Sequence, residues 1–112
     1  MSLDLVLLAE LQDVMEEEFA SLLVTYIDDS TQRLSRLKGA LQAEDAEDAR
    51  QFAHSVKGSS SNIGALQLAE HLKEMEYNAG SKDWPALNDL FAQVVAEHQA
   101  VCQELRARYL VG

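Results

Sequence analysis

The sequence predicts an all-α fold, an antiparallel up-and-down four-helix bundle with a short additional N-terminal helix, formed by residues 1–112 as a single domain. Three observations carry that expectation. Apolar residues recur at spacings of three and four through nearly the whole chain, and no stretch alternates as a strand would. One proline and five glycines leave room for long uninterrupted elements. The breaks in the pattern are only a few residues long, and short connections make consecutive helices antiparallel neighbours.

A first helix is expected from Asp4 to about Met15, with Leu3, Val6, Leu7 and Leu11 on one side. The strongest stripe follows: Phe19, Leu22, Leu23, Tyr26, Ile27, Ser30, Leu34, Leu37 and Leu41 predict a helix from about Glu17 to Leu41. Gln42 to Asp45 reads as a short acidic turn, with Glu44 or Asp45 available as the next N-cap. The third helix should cover Asp45 to Asn62 and end at Ile63-Gly64-Ala65, where Gly64 can take the left-handed conformation. The fourth, about Ala65 to Ala79, turns Ala65, Leu68, Ala69, Leu72 and Met75 inward and stops at Gly80-Ser81-Lys82. Asp83 then caps a last helix that opens with Trp84-Pro85 and carries Leu87, Phe91, Val94, Val101, Leu105 and Tyr109 at helical spacing.

Composition excludes several classes of function. A net charge of -10 leaves no clustered Lys and Arg for phosphate contacts, which argues against nucleic acid, and it disfavours an anionic membrane surface. The single cysteine, Cys102, allows no internal disulfide and suits a reducing compartment. The apolar run Leu5 to Ala9 is too short for a membrane span or a signal segment, so a cytoplasmic location is expected. Metal chemistry is not expected: bundle metal sites use Glu-x-x-His pairs, whereas Gln51, Leu68 and Val95 stand three residues before the three histidines. The acidic runs Glu16-Glu17-Glu18 and Asp45 to Asp48 read as solvated helix starts that suit the helix dipole.

The third helix shows where the chemistry lies. Ala49, Phe52, Ala53, Val56, Ser60 and Ile63 form its inner face; the opposite side reads Glu47, Arg50, Gln51, His54, Lys57, Gly58 and Ser61. His54 is thereby placed mid-helix on the polar face, pointing to solvent. One turn on, Gly58 stands where a helix interior wants a side chain, at a cost of about 1 kcal/mol relative to alanine, and three serines follow. A local rule broken beside an exposed histidine marks a functional site. A missing Cβ at 58 clears an approach to the imidazole, Lys57 brings a positive charge near any attached anion, and the hydroxyls of Ser59 to Ser61 are placed to fix the other ring nitrogen or the helix spacing. Neutral imidazole is a competent nucleophile near neutral pH, so the arrangement suits in-line phosphoryl transfer.

The run His54-Ser-Val-Lys57-Gly58-Ser-Ser60-Ser-Asn-Ile63-Gly64-Ala65, continuing to Leu68-Ala69, resembles the signature of histidine-containing phosphotransfer (HPt) domains. The resemblance implies that His54 is phosphorylated, on Nε2, with Lys57 near the phosphoryl group and Gly58 keeping the ring accessible. It also implies a long polar residue, commonly Gln, on the following helix. Glu76 falls at that spacing, and its negative charge is expected to work against a phosphohistidine, so Arg50 and Gln51 are expected to take over part of that role.

Further implications concern partners. No Walker-type or Gly-rich kinase pattern is present, which makes the chain a carrier rather than a kinase. The expected partners are the receiver domain of a hybrid sensor histidine kinase and that of a response regulator, which supplies the Mg²⁺; no cofactor is expected in this chain, which should be a monomer. Val14, Met15 and the second helix are the expected apolar contact patch, and the start at Met1 is read as favouring a stand-alone shuttle. His71 is expected to be solvated and His98 packed. The rival readings are a helical adaptor whose His54 is never phosphorylated and a cofactor-binding bundle, the latter lacking inward-facing ligands.

Overall fold

The computed structural model describes residues 3–111. Five α-helices follow in order: α1 Leu5–Met15, α2 Glu18–Gln42, α3 Ala46–Asn62, α4 Leu66–Asn78 and α5 Trp84–Tyr109, with a 3₁₀ turn Ala79–Ser81 between the last two. Helices α2 to α5 form the expected four-helix bundle. Its long axis of 43 Å is set by α2 and α5, whose 25 and 26 residues rise about 1.5 Å each. Among the described residues, no helix is long and apolar enough to cross a membrane.

Aspartates start three of the helices. Asp4, Asp45 and Asp83 each accept a hydrogen bond from the backbone N–H three residues on, at 3.1, 3.0 and 3.2 Å. Each satisfies a donor that the helix leaves unpaired, a contribution of about 1 kcal/mol. Between α3 and α4, Gly64 takes φ +78°, and a Cβ there would lie 3.0 Å from that of Asp4. The Asp4 N–H donates to the Gly64 carbonyl at 2.8 Å, which ties α1 across the end of the bundle.

The core is built from the stripes that the periodicity marks. Leu23, Leu37, Val56, Leu68, Leu72, Met75, Val94, Val101 and Leu105 are fully buried. Cross-helix polar contacts fix the register. Tyr26 and Ser60 share a 2.7 Å hydrogen bond between α2 and α3, and the Arg33 guanidinium reaches the Ser55 hydroxyl further along the same pair. Burial pushes the Tyr26 phenol up to about 12. Between α2 and α5, Ser30 Oγ lies 2.7 Å from His98 Nε2, and the Phe19 and Tyr109 rings meet edge-on at 5.3 Å. His98 is packed, as its place in an apolar stripe suggests. Burial and the nearby Arg106 charge lower its pKa, so the neutral ring is favoured.

One inward face differs from expectation. In α1 it is Leu8 that is fully buried, with Leu5, Leu11 and Met15 partly covered, whereas Val6 is exposed. Apolar residues surround so much of this short helix that periodicity does not select its face; the tether at Gly64 does.

Candidate functional site

His54 projects from the middle of α3 with 63% of its side chain exposed. Its Nδ1 lies 2.8 Å from Oε2 of Glu76 on α4. The second carboxylate oxygen, Oε1, accepts a 2.7 Å hydrogen bond from Lys57 Nζ. One carboxylate, itself only 20% exposed, thus bridges the two α3 residues that the sequence marks at i and i+3. The hydrogen bond from Lys57, joined by that from His54, holds the Glu76 carboxyl below the usual carboxylate range despite partial desolvation.

That geometry assigns the ring's tautomer. An ionised carboxylate only accepts, so the Nδ1 facing it carries the proton and the neutral ring presents its Nε2 lone pair away from Glu76. Beside the ring, a Cβ built on Gly58 meets nothing within 4 Å. No packing inside the protein requires glycine there. Because helical side chains lean toward the N-terminus, any side chain at 58 would lie over the turn that bears His54. The site therefore combines an exposed nucleophilic nitrogen, a fixed tautomer, a tethered ammonium and an open approach.

The other expected site residues are placed differently. Arg50 is held by Glu47 through Nε and Nη2 at 3.2 and 2.6 Å, and Gln51 donates to the same carboxylate at 3.1 Å. Glu47 thereby holds both, while Glu76, at the expected place on α4, makes the contact to His54. The serine hydroxyls do not fix the ring. Ser59 donates to the Val56 carbonyl and Ser60 pairs with Tyr26, while Ser61 is exposed near the end of α3. His71 is partly exposed and approaches Gln67 at 3.3 Å. The holding role of Glu47 was present in the sequence as its i,i+3 and i,i+4 spacing to Arg50 and Gln51. The bridging role of Glu76 had no such signal, because its partners are on another helix.

Comparison with known proteins agrees with this arrangement. The sequence pattern of the Hpt domain family matches residues 21–107. The fold and sequence are similar to the crystal structure of histidine-containing phosphotransfer protein B (HptB) from Pseudomonas aeruginosa PAO1, at 42% identity and a TM-score of 0.87, over 96% of each chain. No curated protein matches the chain.

Proposed function

Since the chain belongs to the Hpt domain family, whose members are phosphotransfer carriers and not kinases, we propose that it carries a phosphoryl group on Nε2 of His54 between receiver-domain aspartates. The direction proposed is from a hybrid sensor kinase to a response regulator. The observation that carries this reading is the exposed His54 ring held through Nδ1 by Glu76, with Nε2 left open.

The transfer uses few parts. The Nε2 lone pair attacks phosphorus of an aspartyl phosphate in line. The N–P bond forms while the P–O bond to aspartate breaks, its electron pair returning to the carboxylate. The ring keeps its Nδ1 proton and becomes cationic, facing the Glu76 carboxylate. Lys57, flexible on its four-carbon stem, is within reach to offset charge on the phosphoryl oxygens. In the second half-reaction an oxygen of the recipient aspartate attacks phosphorus and the N–P electron pair returns to Nε2. Mg²⁺ bound by the receiver domain would neutralise the acidic groups around its aspartate. This chain's contribution is positioning and electrostatics.

The test is transfer from a phosphorylated receiver domain with Mg²⁺, comparing wild type with His54→Gln. Acid-labile, alkali-stable label on the wild type and none on the variant is expected. Label that persists in the variant would move the site elsewhere, and no label from a broad panel of receivers would favour a non-phosphorylated adaptor.

A further inference from the structure

On the side of the bundle away from His54, α2 and α5 leave an open groove between them, with a volume of about 980 Å³. Its more deeply set residues are largely apolar: Leu34 of α2, and Phe91, Val95 and Cys102 of α5. Along the outer wall, Ala92, Ala96, Gln99, Gln103 and Arg106 are all exposed and recur at intervals of four and three. That is the spacing of a seam along which one helix packs on another. The α2 wall has the same character. Thir line is Thr31 and Lys38, seven residues apart, and Val24, 46% exposed, continues it seven residues earlier. Ala92, Ala96 and Ser35 are short, so the walls admit a helix backbone to ordinary packing distance.

Charge sets the groove apart from the rest of the surface. The chain has 19 Asp and Glu against 9 Lys and Arg, yet no acidic residue lines the groove among the described residues. Lys38 and Arg106 line it instead, exposed and without ion-pair partners among the described residues, whereas Lys57, Arg50, Arg33 and Arg108 are each held by a carboxylate. Helical spacing turns the acids of both helices away. Asp28 stands about 70° round α2 from the centre of the groove and Asp89 about 100° round α5, and the others stand further round. The two cations mark opposite ends. Ser30 meets His98 and Phe19 meets Tyr109, an antiparallel register that levels Lys38 with Leu90 and Arg106 with Leu22. Along α2 those levels are about 24 Å apart.

We propose that the α2–α5 groove binds an amphipathic α-helix of a partner protein, one with an apolar stripe and acidic side chains near both ends. Three observations select that occupant. The seam spacing on the α5 wall suits a helix laid lengthwise, the apolar floor suits its stripe, and the unpaired cations suit carboxylates about sixteen residues apart. The chain's net charge repels such a helix as a whole, so recognition depends on the local match at the two ends. A helix seated there leaves the His54 ring uncovered, which makes this site independent of the phosphotransfer reading.

The probe is a fluorophore-labelled synthetic helix of about twenty residues, made of leucine, alanine and glutamine with two glutamates near each end. Its isomer, of the same composition, carries the four glutamates at the centre. Anisotropy should show the first peptide binding about tenfold tighter than the second, and amides of residues 31–38 and 92–106 should shift. Lys38→Glu and Arg106→Glu should each weaken binding about fivefold, because each replaces an attraction by a repulsion. Ala96→Glu, at an exposed helical position that tolerates it, should weaken binding more than tenfold, and Lys73→Glu on α4 should stay within twofold. Transfer from a phosphorylated receiver should be unchanged at saturating peptide. Equal binding of the two isomers, or an equal loss at Lys73, would overturn the proposal. So would shifts of the same amides on raising the protein concentration alone, which would make the occupant a second copy, or with decanoate but not the peptide, which would make it a small anion.

Discussion

Gly58→Ala should move stability and phosphotransfer in opposite directions. Gly58 is in the interior of α3, outside the left-handed region, and an added Cβ meets nothing within 4 Å. Alanine there removes the conformational freedom of glycine from the unfolded chain without steric penalty, so the variant gains about 0.8–1 kcal/mol. For a domain of this size that is a rise in Tm of about 4 °C. The methyl group, however, projects over the turn that bears His54, where an incoming aspartyl phosphate must pass. A displacement on the order of 1 Å at a reacting pair can reduce rate up to about a hundredfold, so a loss of roughly tenfold in transfer is expected for the methyl and more for Gly58→Leu. Gly39→Ala is the internal control. It is also helical, also free of contact within 4 Å, and is on α2 away from the ring. Thermal melts and receiver-to-histidine transfer are measured on both variants. Equal stabilisation with loss of transfer only at 58 is the expected pattern. Unchanged transfer in Gly58→Ala would refute the cleared-approach argument, and a lower Tm would refute the account of the helix.

Three further outcomes follow from particular contacts. The depressed pKa of His98 means that the unfolded chain binds its proton first as pH falls, so stability should be level above about 6.5 and decline below it until the folded ring titrates; His98→Gln should flatten that part of a urea-denaturation profile. Glu76 is also depressed, and its contribution should be lost only at lower pH, below the ordinary carboxylate value of 4.5, which separates the two. Tyr26→Phe leaves the buried Ser60 hydroxyl without its 2.7 Å partner and should cost about 1–2 kcal/mol, while Ser60→Ala added to it should cost less than Ser60→Ala alone. Gly64→Ala forces φ +78° on a residue with a Cβ, 3.3 Å from the Asp4 carbonyl oxygen, and should lower stability by at least about 1–2 kcal/mol in thermal melts.

Much of the bundle was legible because long amphipathic helices encode their own buried face. The spacing from Phe19 to Leu41 and the aspartate before each of α3 and α5 leave little choice of element or boundary. Helix α1 was different: Leu3, Leu5, Val6, Leu7, Leu8 and Leu11 surround a short element, and its orientation is settled by a backbone contact to Gly64 far along the chain. The site divides in the same way. His54, Lys57 and Gly58 share one helix, so their spacing places them together. The bridge to Glu76 and the pairing of Ser30 with His98 depend on the register between helices, which no single helix's periodicity contains.

Glu76 shows why that register changes the chemistry inferred. Read only against the phosphoryl group, a carboxylate near His54 is repulsive. The contact made, however, is to Nδ1, on the far side of the imidazole from Nε2. There, on the proposed reading, the carboxylate would meet two positive charges rather than a negative one: Lys57 throughout, and the ring charge that would develop as Nε2 bonds to phosphorus without losing the Nδ1 proton. In the resting state Lys57 and Glu76 cancel, as do Arg50 and Glu47, in a chain of net charge -10. On the proposed reading, a neutral amide at 76 would retain a hydrogen-bond acceptor for Nδ1 but lose the counter-charge to the phosphorylated ring and loosen the hold on Lys57. The carboxylate therefore favours the charged carrier through the ring while keeping the lysine close enough to turn toward the phosphoryl oxygens.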